Sequence, residues 1–408
     1  MTGDMTGGIA LGQGVRGSYS VHNLLGWTVV LLVCTGANSA LPGSGFLMLA
    51  LGLAALALNP LLRERPGELL LARMLLGAAI FNVVFLMYGV SHSLEGRIYL
   101  IHLYSLLWMC LAFALASGAW RAMPDRQAQW AQAICAVGLI VLLFGQWAQI
   151  KGWIVAPDER FERRAELAAA LRPGGFLNPN TTAAIALALL YASGLHRRRV
   201  FTLFAACICL LATTVVALTQ SRAALLALAI CLVVIGRRHP LRLLLIAIVV
   251  GAGGWMTGAW DAAGVLFEVF DRFAGRFSGD ASSSERAYIL RRAWEAIQEA
   301  PLFGQGYGYL IRSYEMGSHN QLTELWVDFG LFGALPMLAA GMLMLGRVSA
   351  LFVVVCVLPA FVFSHNYFDS AHLQAALGLA LASEHWVRRA RPMTAPRGSP
   401  VTARRVVQ

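Results

Sequence analysis

Charge is scarce in this sequence: only 13% of its 408 residues are Asp, Glu, Lys or Arg, and 21 of them are acidic. Soluble domains carry about 25% charged residues. A chain this poor in charge, 58% hydrophobic and with a mean hydropathy of +0.65, falls outside that class and reads as an integral membrane protein. Cysteine offers no scaffold either. The seven cysteines (34, 110, 135, 207, 209, 231 and 356) all fall in apolar runs, and none forms a C-x-x-C pair or stands beside histidines at ligand spacing. That pattern argues for buried structural thiols over disulfides or a metal centre. No D-x-D motif occurs, and Asp261, Asp271, Asp280 and Glu285 are dispersed, so neither a divalent cation nor any other cofactor is expected. An Arg-rich n-region with a short apolar stretch and a small-residue cleavage site is also missing ahead of the first span, so the first membrane helix is expected to do the targeting.

Apolar runs, by contrast, fill almost the whole chain. A bilayer core of about 30 Å needs roughly 20 apolar residues per helix. Such runs read as spans at 22–41, 43–62, 69–90, 98–120, 130–150, 176–196, 200–220, 223–236, 241–260, 322–346, 348–368 and 371–387. The expected fold is therefore all-α: one polytopic transmembrane domain over 1–408, with about twelve helices and no large soluble domain. The net charge of +11 would suggest nucleic acid in a soluble protein, but here it sorts by side of the membrane. With the N-terminus inside, the basic clusters at Arg63–Arg65, Arg121–Arg126, Arg197–Arg199, Arg237–Arg238 with Arg242, Arg347, and the tail 388–408 all fall on the cytoplasmic face, as short retained loops should. No nucleic-acid partner is implied.

Two outward segments are too long to be turns: 151–175 and 261–321, both expected to be periplasmic. In the second, Ser282–Ser284 can cap a helix running from about Glu285 to Glu299, where Pro301 stops it. Leu290, Trp294 and Ile297 then share a face that excludes Arg286 and Arg291. Arg222, in "VVALTQSRAALLALAI", lies at the outer hinge of two spans; an arginine at membrane depth usually faces the bundle interior or a ligand path, although snorkelling to headgroups would also satisfy it. Its planar fork suits phosphate oxygens. In "GGFLNPNTTAA", Asn178 fits an N-cap and Pro179 the first helical turn, while the Asn178 and Asn180 pair leaves amides that could meet sugar or phosphate.

The ordered set "NPNTTAA", "TQSRAALLAL", "SSSERAYILRRAWEAIQEAPLFGQGYG" and "SHNQLTELWVDFGLFG" resembles the O-antigen ligase and polysaccharide polymerase superfamily of polytopic bacterial membrane glycosyltransferases. The likeness runs from about Phe176 to Gly333, with Leu290 departing where many relatives have Trp. The resemblance implies a GT-C-like membrane fold in the bacterial inner membrane. It implies transfer of a glycan from undecaprenyl diphosphate to a hydroxyl on the periplasmic face, without a required metal. The acceptor is lipid A–core in a ligase, the reading favoured here, or another lipid-linked glycan in an O-antigen or exopolysaccharide polymerase. A protein-glycosylating relative and a lipid-diphosphate transporter are the further alternatives, the latter disfavoured because no inverted repeat is evident. On this resemblance Arg222, Arg286 and His319 form the reactive set. Asn178, Asn180, Arg291, Tyr307 and Asn320 are the substrate-binding candidates.

The triplet Ser-His-Asn occurs twice, at 318–320 and 364–366. His319 joins a basic, Gly-rich loop to a span carrying Glu324 and Asp328, one helical turn apart and expected to point inward. His365 sits in a short hairpin between two spans, where capping or support is the simpler role. His319 is thus the expected general base.

Overall fold

The computed structural model describes residues 25–40, 44–57, 68–91, 96–122, 127–154, 173–197, 202–237, 240, 281–314, 317–318, 320–363, 367–368 and 370–389. Among these residues the regular structure is helical throughout, with no strand. The helices are α1 (Leu25–Thr35), α2 (Ser44–Ala57), α3 (Glu68–Ser91), α4 (Gly96–Ala122), α5 (Gln127–Ile150), α6 (Pro179–Ala192), α7 (Leu203–Thr219), α8 (Arg222–Gly236), α9 (Ala281–Glu299), α10 (Tyr309–Tyr314), α11 (Gln321–Leu345) and α13 (Ala371–Arg389). Between the last two, α12 runs from Ala350–Phe352 through a π-helical turn, Val353–Val357, into Leu358–Phe363. Helices thus stand within eleven of the twelve expected spans; the remaining one, 241–260, lies outside the described residues. Among the described residues, four stretches are long and apolar enough to cross a membrane: Leu70–Tyr88, Leu100–Ser117, Gln129–Ile150 and Gln321–Leu345.

Helix α6 is the axis of the bundle. Every residue from Thr181 to Ala192 is buried, because "TTAAIALALLYA" has no polar face and its alanines let neighbours come close. Helices α5, α7, α8, α12 and α13 surround it, α13 lies along α4, and α11 lies along α3. Small residues set these approaches: a Cβ on Gly378 would strike the Met109 carbonyl of α4, and one on Gly77 would strike the Ala340 carbonyl of α11. Each pairing is antiparallel or parallel as alternating spans demand. Leu70 meets Gly346 at one end of the α3–α11 pair, while Tyr88 meets Phe329 and Gly333 toward the other.

That second end, called the site end below, also holds the start of α13, where the His372 ring nitrogen Nδ1 lies 2.6 Å from the Val33 carbonyl of α1. The opposite end is held by charge. There Glu384 of α13 takes an ion pair from Arg197, a hydrogen bond from the Tyr191 hydroxyl and another from the Ser349 amide at 3.1 Å. Arg197 also donates to the Tyr191 hydroxyl at 3.1 Å. Removing one member of a buried pair leaves its partner uncompensated, at a cost of about 3–5 kcal/mol. Arg197→Ala is therefore expected to lower the thermal unfolding midpoint in detergent clearly, and Glu384→Gln to lower it less; an unchanged midpoint for Arg197→Ala would contradict the role given to this pair.

Candidate functional site

The described part of the 261–321 segment is a small layer built on the site end of α11. Helix α9 begins at Ala281, four residues earlier than the capping reading from Ser282–Ser284, and ends at Glu299 as expected. Its buried face is Ile289, Ala293, Ala296 and Ile297, which form a second core with Leu310 and Val327, while Leu290 and Trp294 are 51% and 54% exposed. Alanines fit the close approach to α11 instead, and Trp294 stays at the rim, edge-on to Trp326 with ring centres 6.3 Å apart.

The Pro301–Gly306 turn explains its own glycines. Helix α11 breaks at Gly330 (φ 60°, ψ −173°), a backbone state essentially restricted to glycine. The turn lies against this break as a second strand of backbone would. The amides of Gln305 and Gly306 donate to the carbonyls of Val327 and Asp328 at 2.7 and 3.0 Å, and the amides of Leu331 and Phe332 donate to Pro301 and Leu302, both at 3.0 Å. Gly304 (φ 74°) sits where any Cβ would enter the Asp328 carbonyl, and a Cβ on Gly330 would collide with the Leu302 backbone. Buried Asp328 then accepts from the amides of Gly308 (2.8 Å) and Tyr309 (3.3 Å), capping α10. Both acids hold loop backbone, Glu324 accepting the Ser318 amide at 2.9 Å.

His319 itself lies outside the described residues, but its neighbours are fixed. Asn320 caps α11, its side-chain oxygen accepting from Leu322 and Thr323 at 3.0 and 3.3 Å. Ser318 bonds back to Asn320 through its hydroxyl, donating to the carbonyl at 2.9 Å and accepting from the amide at 3.2 Å. One residue on, the Gln321 side-chain oxygen accepts the Tyr367 amide at 3.1 Å, and Gln374 donates to the Tyr367 carbonyl at 2.6 Å. The segments carrying the two Ser-His-Asn triplets are thereby tied together, although His365 is outside the described residues.

The same end of the bundle gathers the other candidates. Gln146 of α5 donates to the carbonyls of Pro173 (3.0 Å) and Val215 (3.1 Å), and Gln149 accepts the Gly175 amide at 2.7 Å. This places the 173–178 turn beside the end of α7, and a Cβ on Gly36 would press on Leu177, bringing the end of α1 there too. Asn178 is the N-cap of α6, its side chain accepting from the Asn180 amide at 3.0 Å. Helix α7 closes with Gln220 in a left-handed conformation (φ 52°), Ser221 is extended, and Arg222 opens α8 half-buried. The N-termini of α6, α8, α11 and α13 therefore all lie at the site end, each adding a partial positive charge where anions are favoured.

Three candidates stand differently. Arg286 is on α9, with its side chain outside the described residues. Arg291 is 82% exposed and pairs with Glu295 one turn along, at 3.3 Å. Glu295 also takes Arg292 at 2.7 Å, and this hydrogen bond holds its carboxyl below the usual range. Tyr307 is half-buried, its ring packed on Phe85, His102 and Phe329 at 5.1, 5.6 and 6.2 Å. Sequence reading passed over Gln146, Gln149, Gln321 and Gln374; the available signal was an amide inside an otherwise apolar span.

These features define a polytopic membrane protein whose polar residues converge at one end of a helical bundle, beneath a small helical layer. Residues 206–338, about a third of the chain, match the family model described as O-antigen ligase, a stretch containing Arg222, α9, the Pro301–Gly306 turn and the Ser318–Asn320 segment. Over this stretch the chain is similar to the O-antigen ligase family. No curated protein matches the sequence.

Hydrogen bonds to a charged acceptor contribute about 1.5–3 kcal/mol. Asp328→Ala is accordingly expected to speed hydrogen exchange at the Gly308 and Tyr309 amides by tenfold or more while the amides of α6 stay protected. Unchanged exchange at 308–309 would contradict the capping role.

Proposed function

We propose that this protein is an O-antigen ligase that transfers a glycan from undecaprenyl diphosphate to a hydroxyl of lipid A–core at the periplasmic face of the inner membrane. The observation that carries the reading is the convergence at one end of the bundle of the Ser318–Asn320 segment, the Asn178 turn and Arg222 on the first residue of α8. All but the Asn178 turn fall inside the segment matched to the O-antigen ligase family. In this reading the acceptor oxygen attacks the anomeric carbon as the bond to the lipid diphosphate breaks. His319 takes the acceptor's proton, a role that typically contributes 10²–10⁴-fold. Arg222 and Arg286 balance the charge that grows on the diphosphate, each well-placed donor contributing about 3 kcal/mol. The converging helix N-termini favour the same anion. Asn178, Asn180, Tyr307 and Asn320 line the approach, with their caps and packing setting its shape, and Arg291 meets the donor from the rim.

Purified protein in vesicles with undecaprenyl-diphosphate glycan and lipid A–core tests this. One joined product is expected. A ladder of longer lipid-linked glycans would instead mark a polymerase, and the absence of both products would favour transport. Within that assay His319→Ala should lose transfer by at least about 10²-fold with the fold intact, and His365→Ala should lose less. Arg222→Lys should also be impaired, since a point charge cannot replace a bidentate fork; wild-type turnover in that variant would argue for snorkelling.

A further inference from the structure

The Pro301–Gly306 turn leaves its apolar side chains outside. Leu302 and Phe303 are exposed, Phe303 at 64%, and the Phe303 ring lies 5.4 Å from Phe332, itself exposed on α11. Leu335, one turn further along α11, is exposed too, so the turn extends a lipid-facing strip of a helix apolar enough to cross the membrane. Its level can be read from the neighbours. Phe329 and Gly333 of α11 pack on Tyr88, the last residue of the apolar stretch Leu70–Tyr88, so the turn sits at the height where α3 leaves the hydrocarbon. Trp147 and Trp153, exposed and edge-on at 4.5 Å, mark the same kind of boundary at the end of α5.

Irregular backbone survives at such a depth only when its polar groups are satisfied by protein. Here they are: Gly304, Gln305 and Gly306 all donate to main-chain carbonyls, Pro301 and Leu302 accept from α11, and the Trp326 ring nitrogen adds a bond to the Pro301 carbonyl at 3.1 Å. We propose that the turn is a membrane-interface anchor, its backbone spent on the break in α11 and its Leu302 and Phe303 side chains laid among the lipid acyl chains of the leaflet at the site end. The consequence is positional: the segment leading to Ser318 is held at headgroup depth, the level at which a lipid diphosphate presents its phosphates.

The test is a depth measurement independent of transfer, so its failure would leave the proposed activity untouched. Leu302→Cys and Phe303→Cys, each combined with Cys207→Ser to remove the exposed native thiol, are spin-labelled and reconstituted in phosphatidylethanolamine–phosphatidylglycerol vesicles. Gln298→Cys on the exposed side of α9 gives the aqueous reference and Leu335→Cys the lipid reference. The ratio of collisions with oxygen to collisions with a water-soluble nickel chelate is expected to be several-fold higher at 302 and 303 than at 298, approaching that at 335. Ratios at 302 and 303 equal to that at 298, in protein of unchanged helix content, would overturn the proposal.

Discussion

The break in α11 at Gly330 is the constraint on which the site end depends. A continuous helix would satisfy its own backbone and offer nothing to the loop before it. Broken, it exposes carbonyls at Val327 and Asp328 and amides at Leu331 and Phe332, and the Pro301–Gly306 turn satisfies all four. The position of that turn fixes the end of α9, and Asp328 fixes the start of α10. Glu324 and Asn320 hold the last residues before the helix from the same element. One membrane helix thus carries the layer above it through backbone bonds and two carboxylates, and the segment around His319 inherits its place from that helix.

The two ends of the bundle solve different problems. At the opposite end, charge is buried and paired between Arg197 and Glu384, which joins α6, α12 and α13 without presenting either group to a ligand. At the site end the Gln146, Gln149, Gln321 and Gln374 side chains hold turns, and the Asp328 and Glu324 carboxylates hold loop amides.

Much of this was readable from residues alone. The apolar run 176–196 announced a helix, and Asn178 and Pro179 announced its cap. Pro301 announced the end of α9. What the turn docks against was not readable, because Gly330 looks like any small residue of a membrane helix until its φ is known. The buried face of α9 was not readable for a related reason: the approach to α11 selects Ala293 and Ala296 over Trp294. The acids Glu324 and Asp328 were rightly expected to point away from lipid, but periodicity does not tell a residue that meets substrate from one that meets a backbone amide.

The most direct test of this account is the transfer rate of Gly330→Ala in vesicles containing both lipid substrates. A methyl group at 330 must displace the Leu302 backbone, so transfer is predicted to fall at least tenfold while the circular-dichroism helix content of the bundle is unchanged. Wild-type transfer by Gly330→Ala would contradict the claim that the break in α11 positions the site.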